Sequence, residues 1–181
     1  MPNIHVCSLA KLNVTVAESS ASHVLTLIKN RDLVKTPPGI APDRHLILDL
    51  ADIAAPREGE VAPSEEHVGQ LIDFVSGWNA DFPLVIHCYA GVSRSTAAAF
   101  TAMCHLMPHI PEAEHARLIR KLSPTATPNP LIVSLADRML SRNGRMVEAC
   151  DAIGRGADCT EGTPFSVPLQ KQEERNRPKS E

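Results

Sequence analysis

Apolar and polar positions along this chain follow two periods, and the change from one to the other marks out its elements. Residues 4–9, 22–28, 45–50 and 84–87 are short runs rich in Val, Ile and Leu with few polar breaks, as strands buried on both faces would be. Between them apolar residues recur at three- and four-residue spacing. Residues 10–20 read as a helix, although Val14, Thr15 and Val16 lower its propensity. Pro63-Ser64-Glu65-Glu66 opens another, with Ser64 as cap, acids in the first turn and Val68, Leu71, Ile72 and Val75 on one face. It should end near Asn79. Residues 93–107 are so rich in alanine and apolar side chains that few polar positions fall on any face, which predicts a buried helix stopped by Pro108.

Pro111-Glu112-Ala113-Glu114 starts a further helix carrying Ala116, Ile119 and Leu122 inward, and residues 131–142 form an amphipathic one ended by Asn143-Gly144. Residues 145–153 suit a short last helix. Two stretches read as loops: 29–43, broken by Pro37-Pro38-Gly39, and 51–63. From Gly154 onward glycines, prolines and the charged run at residues 170–177 have little to bury, so residues 154–181 read as a C-terminal tail behind a single domain of residues 1–153. Strands alternating with helices imply an α/β fold, with a mainly parallel central sheet of about four to five strands and helices on both faces.

Composition narrows the function. The 181 residues are 43% hydrophobic and 22% charged with a net charge of −3, ordinary for one globular domain. That balance offers no basic footprint for nucleic acid or an anionic membrane, so neither partner is expected. Five cysteines, Cys7, Cys88, Cys104, Cys150 and Cys159, have neither disulfide-framework nor zinc-site spacing, which points to a reducing compartment. Met1-Pro2-Asn3-Ile4-His5 lacks the charged and apolar regions of a leader, and no apolar run approaches the roughly 18 residues of a membrane span. A cytoplasmic protein is expected; the oligomeric state is not legible.

The chemistry concentrates at Val85-Ile86-His87-Cys88-Tyr89-Ala90-Gly91-Val92-Ser93-Arg94-Ser95-Thr96, a buried strand, a tight loop and a helix start in succession. Such a junction binds anions, because loop amides and the first N–H groups of the helix converge there. A thiol at a helix N-terminus beside a guanidinium favours the nucleophilic thiolate. Gly91 suits the point where the loop turns back. Tyr89, Ala90, Val92 and Ser93 line the loop without adding charge.

His87-Cys88-x5-Arg94-Ser95 resembles the signature of the cysteine-based protein tyrosine phosphatases, in the dual-specificity-like branch and its bacterial form. The resemblance implies a phosphatase-like fold and hydrolysis of phosphate monoesters, phosphotyrosine above all, through a phosphocysteine on Cys88. It implies no cofactor or metal, and a phosphorylated protein or small phosphomonoester as partner. Arg94 would bind two phosphoryl oxygens through its planar fork, Ser95 would hydrogen-bond the sulfur and ease its departure, and His87 would orient the loop from beneath. The general acid is expected on an upstream loop: Asp52 is the choice at the start of residues 51–63, with Asp49 as competitor and Asp81 left in a solvent-facing turn. Relatives acting on inositol phosphates often carry lysine within the loop; none occurs here. A small-molecule or inositol phosphate phosphatase and a catalytically silent phospho-binding module remain the alternatives.

Pro128-Asn129 resembles the Pro-Asn before a late helix in dual-specificity-like members, where the Asn supports the phosphate loop. An ordinary helix cap is the other reading of Asn129. Cys7 could meet Cys88 in a protective disulfide if their strands are neighbours. Cys104 reads as apolar filler and Trp78 as a packing residue. His105 and His109, separated by Pro108, make a poor metal pair.

Overall fold

The computed structural model describes residues 3–169. The elements run β1 (Asn3–Ser8), α1 (Leu12–Ser19), β2 (His23–Ile28), β3 (His45–Asp49), α2 (Glu65–Gly77), β4 (Leu84–Cys88), α3 (Arg94–Leu106), α4 (Glu112–Leu122), α5 (Pro130–Met139), α6 (Arg145–Ile153) and β5 (Phe165–Pro168). They build one five-stranded sheet in the order β3-β2-β4-β1-β5. β1, β2, β3 and β4 pair in parallel, and β5 joins the edge antiparallel to β1. None of the described helices is long and apolar enough to cross a membrane.

The strand at the centre is β4, whose five residues are all buried. Its side chains alternate between two cores. Leu84, Ile86 and Cys88 join the large core beneath α2 to α6, whereas Val85 faces a smaller one with Cys7, Leu12, Val16, Val24 and Ile28 under α1. Helices therefore cover both faces, unequally. α3 fills the middle of the large core, with every residue from Arg94 to Cys104 buried.

Three expectations need correction. The stretch read as tail from Gly154 contains β5, with Val167 completely buried and Leu169 nearly so. Its apolar alternation is only Phe165, Val167 and Leu169, interrupted by Pro168 and preceded by Pro164, too short to register as a strand until β1 supplies its partner. The charged run that begins at Gln170 lies outside the described residues. Second, α5 stops at Met139 rather than Arg142, since Ser141 and Asn143 take left-handed backbone and the Asp137 carboxylate accepts from Gly144 N–H (2.7 Å) and Met146 N–H (2.9 Å) at the start of α6. Third, Cys7 and Cys88 lie on neighbouring strands but in opposite cores: Cys7 is level with His87, Ser8 with Cys88, and both cysteines are free. Burial also pushes the Cys7 thiol up to about 11. A sheet-spanning disulfide does not form from this register.

Candidate active site

At the C-terminal end of β4 the chain turns from Cys88 through residues 89–93 into α3. Gly91 makes the turn with φ +74°, and a Cβ there would stand 2.8 Å from the backbone of Cys7 and of Ser8. Only glycine satisfies both the left-handed backbone and that contact. Gly91 N–H donates to Cys88 Sγ at 3.3 Å, and Ser95 Oγ lies 3.1 Å from the same sulfur.

Several carbonyls of the loop are drawn outward. Tyr89 C=O accepts from Leu9 N–H (3.1 Å), Val92 C=O from Thr127 N–H (3.0 Å), and Ser93 C=O from Asn129 N–H (3.3 Å). In a trans peptide C=O and N–H point opposite ways, so each of these bonds turns the following amide, Ala90, Ser93 or Arg94, toward the hollow above the sulfur. The N-terminus of α3 opens into it as well. Ser93, its N-cap, makes no capping bond and instead donates Oγ–H to Asp52 Oδ1 at 2.7 Å, leaving the first-turn amides for an anion.

Arg94 is nearly buried, 6% exposed. One end of its fork is anchored by an Nη1–H bond to Leu50 C=O at 3.0 Å, while the buried Nε–H has no hydrogen-bond partner and lies 3.8 Å from Asp52 Oδ2. A buried, unbonded guanidinium N–H is costly unless an anion arrives to take it. Asp52 sits where β3 runs out into the 51–63 loop, half-exposed, and also accepts from Asn129 Nδ2–H at 2.9 Å. Of the two readings its sequence left open, the side chain of Asn129 shows the cap, while its amide group holds the loop that carries Asp52 and only its backbone N–H reaches the phosphate loop, at Ser93 C=O. Its Oδ1 caps α5 by accepting from Leu131 and Ile132 N–H at 3.1 Å each, and its Nδ2 holds Asp52 and Ile53 C=O.

Asp49 is occupied elsewhere: its carboxylate accepts from Asn30 and Arg31 N–H, so it braces the turn after β2. Asp81 pairs with Asn79 in an exposed turn. Trp78 packs in the core and donates Nε1–H to Phe82 C=O.

Beneath the loop, His87 has Nδ1 3.3 Å from Cys88 C=O and Nε2 2.7 Å from Thr26 Oγ1. Thr26 Oγ1 is also 2.8 Å from His45 Nε2, and His45 Nδ1 is 2.9 Å from Thr36 Oγ1. Burial pushes both rings down to about 4, so both are neutral at physiological pH. A carbonyl only accepts, which fixes every proton in this wire. His87 Nδ1–H donates to Cys88 C=O, Thr26 O–H donates to His87 Nε2, His45 Nε2–H donates to Thr26, and Thr36 O–H donates to His45 Nδ1. The wire draws the Cys88 carbonyl away from the hollow. Thr26 and His45 carry no local sequence signal for this role; the parallel pairing of β2 with β4, which sets Thr26 level with His87, creates it.

No protein-family model matches the sequence, and no curated protein matches it. Solved structures do. DUSP15 superposes with a TM-score of 0.60 at 15% identity, covering 84% of this chain and 91% of its own. The Cydia pomonella PTP-2 phosphatase gives 0.56 at 18% identity over 75% and 84%. The human tyrosine phosphatase-like serine/threonine/tyrosine-interacting protein gives 0.57 at 17% identity over 76% and 87%. The fold is that of the cysteine-based tyrosine and dual-specificity phosphatases. Within this phosphatase fold the loop from Cys88 to Arg94 occupies the end of the central strand, and Asp52, Ser93, Asn129 and Arg94 meet above it although they lie up to 77 positions apart in sequence.

Proposed function

We propose that the protein is a metal-independent phosphatase that hydrolyses phosphate monoesters, phosphotyrosine foremost, through a phosphocysteine on Cys88. The observation that carries this reading is the Cys88 sulfur, 3.3 Å from Gly91 N–H and 3.1 Å from Ser95 Oγ, at one end of a loop whose other end sets the unbonded Arg94 Nε–H 3.8 Å from the Asp52 carboxylate. A phosphoryl group seated there presents oxygens to the amides of residues 89–94 and to Arg94, groups already oriented before the charge develops.

In the first step the Cys88 thiolate forms the S–P bond as the P–O bond to the substrate breaks, and protonated Asp52 delivers its proton to the departing oxygen. In the second, ionised Asp52 takes a proton from water as that water attacks phosphorus. The S–P bond breaks, inorganic phosphate leaves, and the Cys88 thiolate returns with Ser95 Oγ–H beside it. His87 and Asn129 hold the loop and the acid in place without touching substrate. With Arg94 the only cation between residues 88 and 95, the loop suits a monoester better than a polyphosphorylated inositol.

Turnover of p-nitrophenyl phosphate and a phosphotyrosyl peptide in EDTA, beside an inositol phosphate panel, tests the proposal. Wild type should turn over the monoesters, Cys88→Ser should be inactive, and Asp52→Asn should lose about 10²–10⁴-fold on the peptide. Preference for inositol phosphates would make the protein a small-molecule phosphatase on the same fold. Vanadate binding without turnover would make it a phospho-binding module, the reading that the likeness to a tyrosine phosphatase-like interacting protein keeps in view.

A further inference from the structure

We propose that residues 160–162 are a positioning element for the phosphate loop, with Gly162 locking the Ala90–Gly91 peptide so that its amide faces the Cys88 sulfur. The inference rests on the phosphatase reading and assigns it a determinant from the far end of the chain. Gly162 N–H donates to Ala90 C=O at 2.8 Å. Because that carbonyl is held outward, the amide on the other side of the same peptide points inward, and it is the one that reaches Cys88 Sγ at 3.3 Å.

This peptide is a joint at which the loop can turn over. A glycine follows it, and glycine accepts both signs of φ, so the plane can turn over at little cost. Turned over, it would aim the Ala90 carbonyl at the thiolate and remove a donor from the anion.

The strap is itself fixed on both sides. Upstream, Gly156 N–H donates to Thr127 Oγ1 (3.1 Å) and Ala157 N–H to Pro124 C=O (3.0 Å). Downstream, β5 is hydrogen-bonded to β1. Between them, Glu161 Oε1 accepts from the buried Ser8 Oγ–H at 2.5 Å, and Ser8 is the residue paired with Cys88 across the sheet. Gly162 packs so closely that a Cβ would stand 3.0 Å from Gly91 O and 3.3 Å from Val92 Cγ2. The bond between Gly162 and Ala90 is thus set by the sheet edge on one side and by the α4–α5 connection on the other.

Gly162→Ala, which pushes on the Gly91 carbonyl, and Ser8→Ala, which cuts the Glu161 tether, test the assignment. For each, the rate of iodoacetamide alkylation of Cys88 at pH 6 is measured by peptide mapping, with the exposed Cys159 as internal reference. Vanadate affinity, kcat, KM and the melting temperature are measured alongside. A charge-assisted N–H bond to the thiolate is worth about a factor of ten, so Gly162→Ala should slow Cys88 alkylation and weaken vanadate about tenfold, with the loss in kcat rather than KM. Ser8→Ala should do the same to a smaller extent while the protein stays folded. Should Gly162→Ala unfold the protein, Ser8→Ala decides. Wild-type alkylation and vanadate binding in a folded variant overturn the assignment. Cys88 alkylating no faster than Cys159 in wild type would instead overturn the phosphatase reading.

Discussion

Replacing Asn129 by aspartate should separate the two jobs its side chain performs. On the Oδ1 side nothing is lost: aspartate caps a helix as well as asparagine does, and its charge gains about 0.3–1 kcal/mol from the α5 dipole. On the Nδ2 side a donor 2.9 Å from Asp52 and 3.2 Å from Ile53 C=O becomes a second acceptor. Two carboxylates at that distance cannot both stay ionised, so they share a proton or Asp52 swings out of the site. Asn129 is only 2% exposed, so the mismatch should cost about 1–3 kcal/mol of folding stability. A displaced general acid should lower kcat on a phosphotyrosyl peptide by at least about tenfold and by no more than the roughly 10²–10⁴-fold that such a group supplies. Asn129→Ala should lose both jobs, about 1 kcal/mol of cap in addition to the hold on Asp52. The decisive variant is the swap, Asp52→Asn with Asn129→Asp, which restores a donor facing an acceptor. It should recover about 1 kcal/mol or more of the stability lost in Asn129→Asp and recover none of the activity. Urea unfolding and kcat at several pH values measure both quantities. Wild-type kcat in Asn129→Asp, or a swap no more stable than the single variant, would refute the reasoning.

Other outcomes follow from the same contacts. Thr26→Val removes the buried hydroxyl between the His87 and His45 rings and should cost about 1–3 kcal/mol, lowering the melting temperature by about 2–4 °C per kcal/mol; an unchanged melt would disprove the wire. Stability should also fall as the solution is acidified. His87 stays neutral in the fold down to about 4, whereas in the unfolded chain it takes up a proton near 6.5, so protonation below 6.5 favours unfolding. Between pH 7 and pH 5 this group alone should remove about 2 kcal/mol, so His87→Gln, in which His45 still titrates, should lose about 2 kcal/mol less than wild type when both are unfolded in urea at the two pH values.

The parts of this molecule that read directly from its sequence are those whose cause is local. The apolar runs at β2, β3 and β4 announce strands, Ser64 and the acids after it announce α2, and Cys88, Gly91, Arg94 and Ser95 share one loop, so their meeting needs no tertiary information. What stayed hidden depends on partners far along the chain. β5 is four residues long and is a strand only because β1 accepts it. Thr26 and His45 look like ordinary strand residues until the β2–β4 register puts a hydroxyl beside His87. Ser93 reads only as an uncharged residue lining the loop, and its hydroxyl serves Asp52. Gly162, in a stretch that composition assigns to a tail, touches the loop only because the chain returns across the sheet edge.

The most direct test of the central claim is to look for the covalent intermediate. Ser95→Ala, which removes the hydroxyl 3.1 Å from the sulfur and should slow release of the thiolate, is mixed with a phosphotyrosyl peptide in EDTA, quenched in acid and mapped by mass spectrometry. One phosphoryl group should appear on the peptide containing Cys88, formed as fast as the first turnover. Turnover that persists in Cys88→Ser, or a phosphoryl group trapped on any other residue, would contradict the claim.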